Sequence, residues 1–66
     1  PKYQFLFEIK YLNKAGEKSL NITTNKAIAQ VNEYLTFEEI KSIKNLKAYV
    51  LIFVGSEIKV VKEISR

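Results

Sequence analysis

The chain has 66 residues and a mass of 7.7 kDa, and it contains no Cys, His, Met, Trp or Asp, so its seven Glu are its only acidic side chains. A chain this short buries only about 60% of its unfolded surface, which leaves material for one small domain, 1–66, and for one core. Disulfides and Cys/His zinc sites are excluded, and so are nucleophilic triads of the Ser/His/Asp type. A Glu pair acting as acid and base would need a cleft that so small a domain seldom encloses. The expectation is a protein that is no enzyme and carries no cofactor or metal.

Eleven Lys+Arg against seven acidic residues give a net charge of +4 and a sequence pI near 9.4. Ten of the eleven are Lys, and the single Arg is Arg66. Lysine holds phosphate as a mobile point charge, whereas bidentate reading of base edges favours arginine. A nucleic-acid partner would therefore be bound with strong salt dependence and weak sequence preference. A Lys-, Ile- and Asn-rich composition also suits an AT-rich genome, such as that of a phage, a plasmid or a low-GC bacterium. The longest apolar run, Ala48 to Val54, falls far below the ~20 residues of a membrane-spanning helix, so a cytoplasmic protein without membrane contact is expected.

In chain order, Tyr3 to Leu12 places an aromatic or β-branched residue at every odd position, the period of a strand. Asn13-Lys14-Ala15-Gly16 reads as a turn and Ser19 to Thr24 as a second strand, which together make a first hairpin. Its register would set Ile9 opposite Leu20 and Phe7 opposite Ile22. From Asn25 the apolar spacing becomes helical through Ala27, Ile28, Val31, Tyr34 and Leu35, with Thr24 or Asn25 as cap. Thr36-Phe37-Glu38-Glu39 has the spacing of a capping box, so a second helix is expected over about Phe37 to Lys44, with Asn45 as a left-handed stop. Ala48 to Val54, Gly55-Ser56 and Glu57 to Ile64 read as a hairpin with a type II′ turn. It pairs Val54 with Glu57, Phe53 with Ile58 and Leu51 with Val60.

The resulting fold class is α+β, in the order ββααββ, with a four-stranded, mostly antiparallel sheet and its helices on one face. The core would comprise Tyr3, Phe5, Phe7, Ile9, Leu20, Ile22, Leu51, Phe53, Ile58 and Val60 against Ala27, Ile28, Val31, Leu35, Ile40 and Ile43. That assignment leaves Leu6, Leu12, Val50, Ile52, Val54 and Val61 on the opposite sheet face. An apolar patch there marks Leu6, Val50, Ile52, Val54 and Val61 as a protein interface, for a homodimer or a protein partner. The bland account is that the strand from Ala48 is central and covered on both sides. The alternative function is nucleic-acid binding through Lys10, Lys14 and Lys18 near the first hairpin and Lys41, Lys44 and Lys47 along the second helix and its exit. Glu8, Glu17, Glu38 and Glu39 interrupt that field, and Lys on tips and solvent faces also serves solubility. With Phe5, Phe7 and Phe53 assigned to the core, only Tyr3, Tyr11 and Tyr34 are left as stacking platforms.

An amino-terminal proline on a short chain resembles the tautomerases that use that secondary amine as a base. The resemblance ends at Pro1. Those enzymes look like β-α-β units with internal arginines that hold a carboxylate, whereas this chain reads as opening on a hairpin and has no internal Arg. Two hairpins around a helix are similar to swapped-hairpin transcription factors, whose turn motifs are missing here. The sequence thus favours a non-enzymatic intracellular binding module acting by protein contact through its outer sheet face.

Overall fold

The computed structural model describes residues 2–65. Strand β1 (Gln4–Leu12) leads through a 3-10 segment (Lys14–Ser19) into helix α1 (Leu20–Tyr34) and the short α2 (Glu38–Lys41); β2 (Leu46–Val54) and β3 (Glu57–Ile64) follow. The fold is α+β with a three-stranded mixed sheet in the order β1-β2-β3. β1 and β2 run parallel, joined through α1, while β2 and β3 form an antiparallel hairpin.

Among the described residues the expected first hairpin is absent, and with it the fourth strand, and the sheet is mixed rather than mostly antiparallel. Ser19 to Thr24 does alternate, but Leu20, Thr24, Ala27, Val31 and Leu35 also form one helical stripe, and the helix takes it. Ile22 is left exposed as a consequence, and Thr24 Oγ1 satisfies itself by donating to Leu20 O at 2.7 Å. Asn13 starts a helical turn rather than a hairpin: its Oδ1 accepts from Gly16 N at 2.8 Å, and Gly16 has no positive φ. The break after Tyr34 stands where the capping-box spacing put it, yet Thr36 Oγ1 donates back to Glu33 O and α2 is capped by Phe37 without a side-chain bond. Asn45 is no left-handed stop either. Its carbonyl accepts from Gln4 N at 2.8 Å and starts the β1–β2 ladder.

At the other end of the sheet, Gly55 has φ +60 and Ser56 has negative φ, the signature of a type II′ turn, and Gly55 N donates to Leu12 O at 2.7 Å. Val54 pairs with Glu57 and Phe53 with Ile58 as expected from that loop. A bulge then inserts Lys59, so Val60 pairs with Ile52 and Val61 with Leu51. Ile58 and Val60 therefore lie on opposite faces despite their even spacing.

The core lies between α1 and the even-numbered face of the sheet. Ala27, Val31 and Leu35 pack on Ala48, Val50, Ile52 and Ile64, with Leu6, Leu12, Leu20, Ile28, Ile40, Leu46 and Val60 partly buried around them. The expected core face of Phe5, Phe7 and Ile9 is thus reversed. Alanine at 27 and 48 and branched aliphatics at 31, 50 and 52 let the helix approach closely, which a row of aromatic rings would prevent. Glu8 and Lys10 fall on the helix side of β1, at the margin of the layer, where Lys10 Nζ lies 3.1 Å from Glu8 Oε2. β2 is central, in agreement with a strand apolar on both faces, and each of its even residues from Ala48 is buried.

The premise that set the chain apart from the tautomerases, an opening hairpin, is overturned by the parallel β1-α1-β2 unit. The second difference stands, since the only arginine is Arg66, which like Pro1 lies outside the described residues. The likeness to two hairpins around a helix lapses, because the described residues form one hairpin.

Candidate interaction face

Of the five residues expected to dock a partner, Val50, Ile52 and Val54 are fully or almost fully buried and Leu6 is half-buried under the helix layer. Helix α1 covers Val50 and Ile52 on the face expected to be bare, with Leu6 at the margin of that cluster, while Val54 is buried outside it. Val61 alone is open, at 64% exposure, because the bulge at Lys59 turns it to the other side.

That other side is uncovered. Parallel pairing puts Phe7 beside Tyr49, Ile9 beside Leu51 and Tyr11 beside Phe53, while the hairpin adds Ile58 beside Phe53 and Val61 beside Leu51. Side chains alternate along a strand, so these residues share one face of all three strands. Phe5 and Phe7 are about half exposed, and Tyr11 is 74% exposed. The rings are ordered among themselves: Phe5 and Phe7 centroids lie 6.0 Å apart at 13°, Phe7 and Tyr49 5.8 Å apart, and Tyr11 and Phe53 5.2 Å apart at 14°. Offset ring pairs of this kind are worth about 0.5–1.5 kcal/mol each beyond the area they bury. Charge is scarce here. Lys47 sits at one end with its Nζ 4.8 Å from the Tyr3 ring centroid, and Glu63 pairs with Tyr49 on the edge strand.

The six candidate lysines do not converge. Lys14 and Lys18 belong to the 3-10 segment, beyond the end of β1 that abuts Gly55. Lys41, Lys44 and Lys47 lie on α2, after it and at the start of β2, the end marked by the Gln4 to Asn45 bond. A nine-residue strand separates the two groups by roughly 30 Å. Lys10 lies on the helix side, paired with Glu8. Phe5, Phe7 and Phe53, expected in the core, stand instead on the open face with Tyr3 and Tyr11.

Among the described residues no pocket is enclosed and no three carboxylates gather as a metal site would require. No helix among them is long and apolar enough to cross a membrane. The open face had a legible signal that hydrophobicity alone conceals: on β1 and β2 the aromatics are all odd-numbered, while the even positions of β2 from Ala48 are aliphatic. Comparison with protein-family models, with curated proteins and with solved structures gives no match.

Proposed function

We propose that this chain is a non-enzymatic binding module that acts by protein contact through the open, odd-numbered face of its sheet. The observation that carries the reading is the unbroken band from Tyr3 through Phe5, Phe7 and Tyr11, flanked by Tyr49, Phe53 and Val61, all on one side of the sheet. Aromatic side chains are the usual anchors of protein interfaces, because they bring a large contact area at little rotameric cost. Monomers rarely leave a contiguous apolar patch much beyond ~300–600 Å² uncovered, and this one spans the sheet.

The nucleic-acid alternative draws support from the exposed rings but less from the charges, since phosphates would need cations beside the rings and, of the six candidate lysines, Lys47 is the one that lies over a ring, that of Tyr3. A photo-crosslinking residue placed at Val61, in the wild-type background and with Phe7→Asp, tests the reading in cells. Crosslinks to protein that vanish with Phe7→Asp support it. Crosslinks to nucleic acid that vanish on charge reversal at Lys14 and Lys18 would overturn it.

A further inference from the structure

Building on that reading of the open face, we infer that its occupant is a second copy of the same chain, packed sheet on sheet about a two-fold axis. Three observations converge. The first is compactness. A 7.7 kDa monomer is expected to expose ~4,300 Å² and a 66-residue domain to have a radius of gyration near 11 Å. This chain exposes 4888 Å² and has a radius of 13.0 Å, with extents of 40 × 22 × 14 Å. It is a slab, one helix layer on one sheet layer, and lacks the cover that would make it compact.

The second is area. With roughly 200 Å² to an aromatic side chain, the exposed fractions of Tyr3, Phe5, Phe7 and Tyr11, 52%, 55%, 50% and 74%, leave roughly 450 Å² of ring surface on the face. Ile9, Ile58 and Val61 and the partly exposed Tyr49, Leu51 and Phe53 bring the face toward the ~800 Å² per partner of a standard stable interface.

The third is chemistry. A two-fold contact sets one patch against itself, so the patch must be complementary to its own kind. An almost uncharged, aromatic and aliphatic sheet face meets that condition, and two such faces interdigitate at about 10 Å. The charges on its rim, Lys47 and Glu63, have opposite sign, and the other lysine clusters stand at the ends of the sheet, so two chains of net charge +4 need not oppose like charges in the contact. A nucleic acid or an acidic peptide would find little cation there to bind.

Sedimentation velocity of the purified chain from low micromolar to submillimolar concentration tests the inference. The wild type is expected to sediment as a dimer, and Phe7→Asp to weaken the dimer by about a hundredfold while keeping the wild-type circular dichroism spectrum. Lys26→Glu, on an exposed turn of α1, should leave the dimer unchanged. A wild type that stays monomeric throughout overturns the inference. In that case, strong fluorescence of an apolar-surface dye lost in Phe7→Asp would leave the face as a site for a different protein, and dye indifference would remove the proposed function as well. A dimer insensitive to Phe7→Asp, with slow hydrogen exchange at amides on the outer edge of β1, would mean edge pairing and would also overturn it.

Discussion

Both faces of the sheet carry an apolar band, yet the bands are built from different side chains and have different fates, and the helix side also holds Glu8 and Lys10 on β1. Beneath α1 lie Ala48, Val50 and Ile52, all small or branched. On the other side lie Phe5, Phe7, Tyr11, Tyr49 and Phe53, broad rings that stack on one another. A helix must approach a sheet to about 10 Å, and aliphatic side chains fill that gap without strain. Rings make a flatter and taller surface that suits a second sheet or another flat partner. Hydrophobicity separates inside from outside, whereas shape decides which inside is which.

Substitutions can break that contrast at its strongest point first. Ile52→Asp places an unpaired charge where nothing is solvent-exposed, and should cost more than about 4 kcal/mol, enough to unfold the chain by circular dichroism. Ile52→Ala should cost about 2–5 kcal/mol in urea unfolding. Phe7→Ala, measured at concentrations too dilute for association, should cost only about 0.8–1.5 kcal/mol, since half of that residue is already in water. Equal losses for Ile52→Ala and Phe7→Ala would show that the two faces are not distinguished as described.

Smaller effects test the devices that set the register. Gly55→Ala meets only ordinary contacts, the nearest being Lys14 Cγ at 3.7 Å, so its cost of about 1 kcal/mol should come from holding φ +60 with a Cβ. Asn13→Ala removes the side-chain bond from Gly16 N, which keeps its bond to Asn13 O at 2.9 Å, and should cost about 0.5–1 kcal/mol, being exposed. Both are readable as shifts of the unfolding midpoint at constant slope.

The second half of the chain was the more legible in sequence. Gly55-Ser56 dictates a tight turn, and β-branched runs on either side leave no competing structure, so the hairpin and its first pairs could be placed by local rules alone. Lys59 was not legible as a bulge, because a one-residue slip there is selected by which of Val60 and Val61 reaches the core. The first half misled for a definite reason. Leu20 to Thr24 satisfies strand and helix periodicity at once, and its β-branched residues weight the local propensity toward strand. Packing of Leu20 and Thr24 in line with Ala27 and Val31 overrode that propensity. With β1 and β2 joined by a helix instead of a hairpin, Phe7 and Ile9 pair with Tyr49 and Leu51 rather than with Ile22 and Leu20, and the odd-numbered face stays open.

By itself the sequence determined the inventory: an α+β chain with no Cys, His or Asp, with rings on odd positions and branched aliphatics on even positions of β2, and with a two-residue turn at Gly55-Ser56. Only the tertiary structure decided that β1 lies parallel to β2 and that α1 covers the aliphatic side. Both are outcomes of contacts between residues distant in the chain, where the close fit of Ala27 and Val31 on Ala48, Val50 and Ile52 outweighs local preference, and that fit leaves the aromatic side uncovered.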